Sequence, residues 1–321
     1  MAKIGFIARS DLGGLGIESR AFVKHMKPKK VMVVKLGNYA HYPEEFPGAV
    51  VSDGIPTDAQ MDEFLSDIDV LFCIETPYNM RTFDIARKKG IKTVLRINYE
   101  WHDETLHPDL LLNPVDWHSG DVSATFLPFP VDTSHFKFHQ RKKAKIFVHI
   151  AGHRAAYDRN GTETLLRAIP FVKSDAEFLI YSQLPMPSID DSRVTIEVKD
   201  VRDNKDFYEV GDVFLFPRRY GGQALSVNEA LSSGMPVITT DMAPLNGTIP
   251  KEWLIPIERM DAVEIKNKVE FATLDPKKVA EKIDSWYDTD IWEFSREARK
   301  IAEKISWKKL RKEYQTIFSI L

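Results

Sequence analysis

From Ile4 onward, short runs of apolar residues alternate with amphipathic stretches long enough for one helix each, and they do so along most of the chain. This is the pattern of βαβ units, in which parallel strands are covered on both faces and read as unbroken apolar runs. The spacing predicts strands over Ile4–Ala8, Val31–Leu36, Asp69–Ile74 and Thr93–Ile97. A glycine-rich turn is expected at Gly13–Gly16, a helix over Ile17–Met26, and a second helix around Asn79–Lys89 that Gly90 ends. Phe126–Pro130 reads as a short extended segment. The pattern then restarts, with strands over Ile146–Ile150, Glu177–Ser182, Val194–Val198, Val213–Phe216 and Val237–Thr240. Helices are expected over Gly161–Phe171 and Leu225–Ser233, from the Asp275–Pro276 cap to Asp284, and over Trp307–Ile320. The architecture this implies is α/β, with two Rossmann-like, doubly wound domains facing a cleft. Their expected limits are residues 1–135 and 136–305, with a terminal helix over 306–321 able to cross back to the first domain. In such sheets ligands bind where loops leave the carboxyl ends of the strands.

Composition narrows the class of partner. The chain has 321 residues, 43% of them hydrophobic and 28% charged, which is the profile of a globular protein with real cores. The longest apolar runs, such as Val70–Ile74 and Val213–Phe216, are far too short to span a bilayer. The first residues enter a strand-like run with no signal-peptide pattern, and Cys73, the single cysteine, lies in the apolar run VLFCI as a buried hydrophobe. A cytoplasmic location is therefore expected. The net charge of −3 does not suit a general nucleic-acid binder, yet the charge is uneven. Residues 1–35 hold eight Lys/Arg against two Asp/Glu, and Lys137–Lys145 holds five basic residues and no acid. These segments suggest an anionic acceptor or surface, or simply solvated faces.

Three stretches carry the candidate chemistry. In Pro217–Asp241 (PRRYGGQALSVNEALSSGMPVITTD) a strand runs into a glycine-rich loop, and Glu229 lies within the helix that follows. In Ile146–Ala168 a strand delivers Gly152, His153 and Arg154 to its carboxyl end, and Arg159-Asn160-Gly161-Thr162 opens a helix. A helix start with free amides beside a guanidinium suits a diphosphate. After the first strand comes Ser10-Asp11-Leu12-Gly13-Gly14-Leu15-Gly16, with Arg20 one turn on; it is either a plain turn or a phosphate-side loop around Gly14. Tyr99–Asp103 adds a polar, aromatic cluster expected to protrude into the cleft, and Glu75, Thr76 and Tyr78 are lesser candidates of the same kind. The nine histidines show no metal-ligand spacing and no Asp-x-Asp pair ends a strand, so no metal site is expected.

The segment Pro217–Asp241 resembles the donor-binding signature of the large retaining GT-B glycosyltransferase family. There a strand ending Pro-Ser leads to Glu-Gly-Phe-Gly-Leu, a second Glu eight residues after the first, and a Gly-x-Pro-Val-Ile ending. Glu229, Ala230, Leu231, Gly234, Pro236, Val237 and Ile238 fall on that pattern, while Gly221 stands in place of the first glutamate. The resemblance implies that Glu229 binds the donor ribose, that Gly221, Gly222, Gln223, Ala224 and Leu225 form the donor loop, and that Arg154, Arg159, Asn160 and Gly161 meet the diphosphate. A bacterial and phage subgroup is similar at Asn98–Trp101, Leu127–Asp132, Arg159–Thr162 and Tyr181–Gln183. The implied activity is metal-independent transfer of a sugar, most simply from a UDP-sugar, with retention of configuration and no separate cofactor. His102, Glu100 and Asp103 are expected to position acceptor or sugar, since the departing phosphate oxygen takes the acceptor proton in such enzymes. The acceptor is open among glycan, lipid, protein and nucleic acid, hydroxymethylated phage-type DNA included. The alternatives are a degenerate GT-B fold that binds without transferring, which the loss of the first glutamate favours, and a GT-B-fold epimerase.

Overall fold

The computed structural model describes residues 2–116, 123–152, 156–187 and 189–321, and the chain divides into two compact units. Unit 1 comprises residues 1–129 together with 307–321, and unit 2 comprises 130–306.

Unit 1 is built on β1 (Ile4–Ala8), α1 (Gly14–Met26), β2 (Lys30–Lys35), β3 (Val50–Asp53), α2 (Asp58–Phe64) and β4 (Val70–Ile74). It continues with α3 (Thr82–Lys88), β5 (Lys92–Arg96), β6 (Leu110–Asn113) and β7 (Thr125–Phe126). The seven strands are parallel in the order β3-β2-β1-β4-β5-β6-β7, so the winding reverses between β1 and β4. β1 and β4 are buried at every residue, which is why they read as pure apolar runs. Cys73 lies in β4 with no exposure. On one face Phe22 of α1 packs 4.6 Å from Phe6 and 4.7 Å from Phe72, ring centre to ring centre. The same aromatic slab takes in Phe318, 6.0 Å from Phe22, on the helix Trp307–Ile320 at the far end of the sequence. On the other, Met61, Phe64 and Phe83 from α2 and α3 cover Leu71 and Leu95.

Unit 2 contains β8 (Ile146–Gly152), α4 (Thr162–Ala168), β9 (Glu177–Ser182), β10 (Val194–Val198), β11 (Val213–Phe216), α5 (Leu225–Ser232) and β12 (Val237–Thr240). After these come β13 (Leu254–Ile255), β14 (Arg259–Glu264), β15 (Lys268–Thr273), α6 (Pro276–Trp286) and α7 (Trp292–Lys304); the helix Trp307–Ile320, α8, belongs to unit 1. Its parallel sheet runs β10-β9-β8-β11-β12-β13, again reversing beside the first strand, and β14 and β15 form a separate antiparallel hairpin. Trp253, Val279, Ile283 and Ile301 join the sheet residues in one apolar core.

Several elements differ from the sequence expectation. The Gly13–Gly16 turn is shorter than read, because α1 begins at Gly14. The helix around Asn79 is confined to Thr82–Lys88, since the Asn79 side chain accepts from the Arg81 amide and donates to the Pro56 carbonyl. The helix after Gly161 loses its α form at Ile169, where Pro170 follows and a tighter turn takes over. The strands β3 and β6, the helices α2 and α7, and the β14–β15 hairpin lie outside the elements expected from the sequence. The charge surplus of residues 1–35 is offset by acids from later in the chain: Lys3 and Lys29 both pair with Asp67, Arg20 with Glu45, and Lys35 with Asp53. Among the described residues no helix is long and apolar enough to cross a membrane.

Candidate functional site

The corner of unit 2 where β8, α4 and β11 meet is held in part by a residue that sequence reasoning passed over. His149, buried in β8, has Nδ1 2.9 Å from the Leu215 carbonyl of β11 and Nε2 2.8 Å from the Thr162 hydroxyl at the start of α4. A carbonyl only accepts, so Nδ1 carries the proton and Nε2 accepts from Thr162. Burial pushes the pKa of His149 down to about 4, which keeps the ring neutral in this bridging role. The signal was a histidine inside the apolar run IFVHIAG, where a polar ring must find partners. Gly161 closes the same corner. It has φ +75°, and a Cβ there would lie 2.0 Å from the Pro217 carbonyl oxygen, so only glycine lets α4 start this close to the exit of β11.

The start of α4 does not offer the free amides expected of it. The Asp158 carboxylate accepts from the Glu163 amide at 2.8 Å and from the Thr164 amide at 3.0 Å, and so caps the helix itself. Asn160 is likewise engaged, its Nδ2 donating to the Ala151 carbonyl at 3.1 Å, which ties the turn to the end of β8. The Arg159 carbonyl accepts from the Arg219 amide at 2.8 Å, and the Arg159 guanidinium lies 5.6 Å from the centre of the Tyr220 ring. Arg159 is thereby set against the loop that follows β11. Arg154 and His153 lie outside the described residues.

That loop is the glycine-rich one. Gly221 has φ +113°, a conformation closed to a glutamate without rearrangement. Gly222 and Ala224 are buried, Gln223 and Leu225 half-buried, and Ala224 stands at the cap of α5 with no side chain capping the helix. Glu229 is the fifth residue of α5, not at the helix start, and its side chain is buried. The Tyr208 hydroxyl donates to its Oε2 at 2.7 Å, and Asn204 gives a second side-chain hydrogen bond. Burial outweighs both and raises the carboxyl from 4.5 to about 7. The Tyr208 hydroxyl is pushed well above its ordinary value by burial and by the Glu229 charge. A cavity of about 600 Å³ opens beside the corner, lined by Tyr157, Arg159, Asn160, Leu184, Arg219 and Phe271. Phe271 belongs to β15, and the Arg219 guanidinium stacks 3.9 Å from its ring centre.

In unit 1 the candidates are placed differently from the expectation. Gly14 is the first residue of α1, and Arg20 serves the loop before it: its Nη1 and Nη2 donate to the carbonyls of Asp11 and Ser10, and its Nε to Glu45. Arg20 is thus a structural brace. Glu100 and His102 do not protrude; they are buried in the turns after β5, and only Trp101 of that cluster is well exposed. The Asp103 carboxylate accepts from the Thr105 amide at 3.0 Å and its hydroxyl at 2.6 Å, which closes a local turn. Glu75 and Tyr78, at the carboxyl end of β4, have φ of +62° and +61°, and Glu75 accepts from Asn98 at 3.0 Å. Non-glycine residues held in the left-handed region tend to mark functional loops. Beneath them Arg96 and Glu18 form a buried ion pair, and burial lifts Glu18 to about 7. Among the described residues no group of three His, Cys, Asp or Glu side chains is placed to hold a metal ion.

No curated protein sequence matches the chain. The family model described as Glycosyl transferases group 1 matches residues 144–288, the stretch that holds His149, Arg159, Gly221 and Glu229. Among solved structures the chain is similar over 98% of its length to 97% of a glycosyltransferase from Rickettsia africae, with 10% identity and a TM-score of 0.67. It is similar over its full length to the whole of Anabaena Alr3699/HepE solved with UDP and glucose, with 11% identity and a TM-score of 0.68. The sucrose-phosphate synthase of Thermosynechococcus elongatus is also similar over the full length of both chains, with 13% identity and a TM-score of 0.63. Two parallel α/β sheets in this arrangement are the GT-B fold, and within it residues 144–288 match the group 1 glycosyl transferases.

Proposed function

We propose that the chain is a glycosyltransferase that moves a sugar from a nucleotide-sugar, a UDP-sugar in the first instance, to a hydroxyl acceptor. Transfer proceeds with retention and without a metal ion. The observation that carries this reading is the placement of Arg159, the Gly221–Gly222 loop and Glu229 within one stretch that matches the group 1 family. In this reading the Glu229 carboxylate accepts the ribose hydroxyls, and the hydrogen bonds from Tyr208 and Asn204 fix its orientation. Arg159 meets the diphosphate and stabilises charge on the leaving group. The solved HepE complexes with UDP and with UDP-glucose support a uridine donor by analogy of fold alone. Four basic residues of the N-terminal segment are ion-paired within the protein, and the acceptor is proposed to be recognised through hydroxyl groups.

The test is a panel of nucleotide-sugars, scored by release of UDP or GDP with and without candidate acceptors, and repeated in a chelator. Steady release from a UDP-sugar supports the reading. Gly221 in place of the motif glutamate favours a second reading, a fold that binds donor without turning it over. Tight UDP binding in calorimetry with no release from any donor would select that one.

A further inference from the structure

We propose that the cavity of unit 2 beside Arg159 receives the transferred sugar as an uncharged ring, and that Tyr157, Leu184 and Phe271 set which sugar it accepts. The inference deepens the donor reading above and rests on it. In that reading Glu229 takes the ribose and Arg159 the diphosphate. Arg159 lines the cavity of about 600 Å³, and Glu229 does not. The cavity therefore adjoins the diphosphate on the side away from the ribose, which is where a nucleotide-sugar carries its sugar.

The lining has the chemistry of a sugar site. Apolar faces from Tyr157, Leu184 and Phe271 suit the C–H sides of a ring, while carboxylate, amide and guanidinium groups suit its hydroxyls. The charged residues of the lining are Arg159 and Arg219 against Asp158 and Glu163. With Arg159 engaged by the diphosphate, one cation stands against two anions, so a second anionic group is disfavoured. The wall opposite is fixed by the β14–β15 hairpin. The Ala272 amide donates to the Arg219 carbonyl at 2.7 Å, Arg219 Nε donates to the Ala272 carbonyl at 3.0 Å, and the guanidinium lies on the Phe271 ring. Tyr157 and Asp158 are consecutive non-glycine residues in the left-handed region, with φ of +55° and +54°. Strain of this kind clusters at ligand sites. Asp158 turns back to cap α4, whereas Tyr157 is left 55% exposed, its ring 6.4 Å from that of Phe271 and at 77° to it. The fold thus holds an aromatic ring at the cavity without burying it, and stacking on a sugar gives that ring its function.

The experiment measures binding of UMP, UDP, UDP-glucose, UDP-galactose and UDP-N-acetylglucosamine by calorimetry to the parent chain, Tyr157→Ala, Tyr157→Phe and Leu184→Trp, with thermal unfolding of each as a check on folding. Loss of an aromatic stacking partner weakens a ligand by about 3- to 10-fold. Tyr157→Ala should lose that much affinity for the UDP-sugar that the parent binds best, with UMP and UDP unchanged. Tyr157→Phe keeps the ring and should restore most of the difference. Leu184→Trp narrows the cavity and should weaken the bulkier N-acetylglucosamine donor more than the glucose one. A loss shared by UDP or UMP puts Tyr157 on the nucleotide, and unchanged affinities with slower transfer to saccharide acceptors put an acceptor ring in the cavity. Either result overturns the assignment, as does no change in any variant. A parent chain that binds no UDP defeats the donor reading itself, which is a distinct result.

Discussion

Replacing Glu229 with glutamine should push stability and nucleotide binding in opposite directions. The carboxyl is fully buried and its pKa rises from 4.5 to about 7 on folding, so the ionised form is the costly one in the native state. Between those two values the folded chain holds a proton that the unfolded chain has released. Stability must therefore fall as pH rises from about 4.5 to about 7, and level off above. The interval corresponds to about 3 kcal/mol in the parent. Glutamine is neutral, keeps an oxygen for the Tyr208 hydroxyl, and removes that slope. At pH 8 the variant should be more stable than the parent by about 1–3 kcal/mol, and at pH 5 the gap should close. Nucleotide affinity should drop by about 1.5–3 kcal/mol, because the amide loses the charge and one of the two acceptor oxygens of the carboxylate. Hydrogen exchange of the β11 and β12 amides between pH 5 and 8, with calorimetry on UDP at pH 8, reads both effects. A variant whose stability tracks the parent at every pH, or whose affinity for UDP is unchanged, refutes the assignment.

Arg159→Lys should cost transfer activity almost as much as Arg159→Ala, since the paired N–H geometry is what the diphosphate needs; full activity in the lysine variant would show that charge alone suffices. Gly161→Ala should destabilise unit 2 by about 2–4 kcal/mol, summing the left-handed penalty and the displacement of Pro217, and urea titration would expose a smaller effect. Arg141→Met should cost about 3 kcal/mol or more, because the buried guanidinium donates to the carbonyls of His139, Tyr208, Gly211 and Ser233, which the methionine leaves unsatisfied. A melting temperature within about 2 °C of the parent would contradict that.

What was legible in the sequence follows from which interactions are local. β1, β4 and β11 are buried on both faces, so their apolar runs announced them. Glu229, Gly221 and Arg159 were singled out only through the resemblance of their strand–loop–helix segments to a family motif, which periodicity and spacing alone do not supply. The β14–β15 hairpin was not legible, because most of β14 is exposed and its residues carry no clear buried face. The helix cap by Asp158 escaped notice because it lies five residues before Glu163, beyond an irregular turn. The burial of Glu100 and His102 depends on how the turns after β5 fold back, which no periodicity records. Nor does any periodicity record that Arg20 braces the loop before it, since its partners are carbonyls of that loop and Glu45, 25 residues away.

The membership of α8 in unit 1 sets an order of events during synthesis. Unit 2 is a continuous segment, complete once Ser306 has left the ribosome. Unit 1 is interrupted: its sheet emerges first, but Trp307, Tyr314 and Phe318, which pack on Phe22, and the Tyr314 hydroxyl, which donates to the Pro128 carbonyl at 3.0 Å, arrive only after the whole of unit 2 has been made. Until then the Phe6–Phe22–Phe72 slab lacks its cover from α8, so of the two units the one begun earlier is finished later. A nascent chain halted before residue 307 should therefore hold a protease-resistant second unit behind a first one that chaperones still recognise.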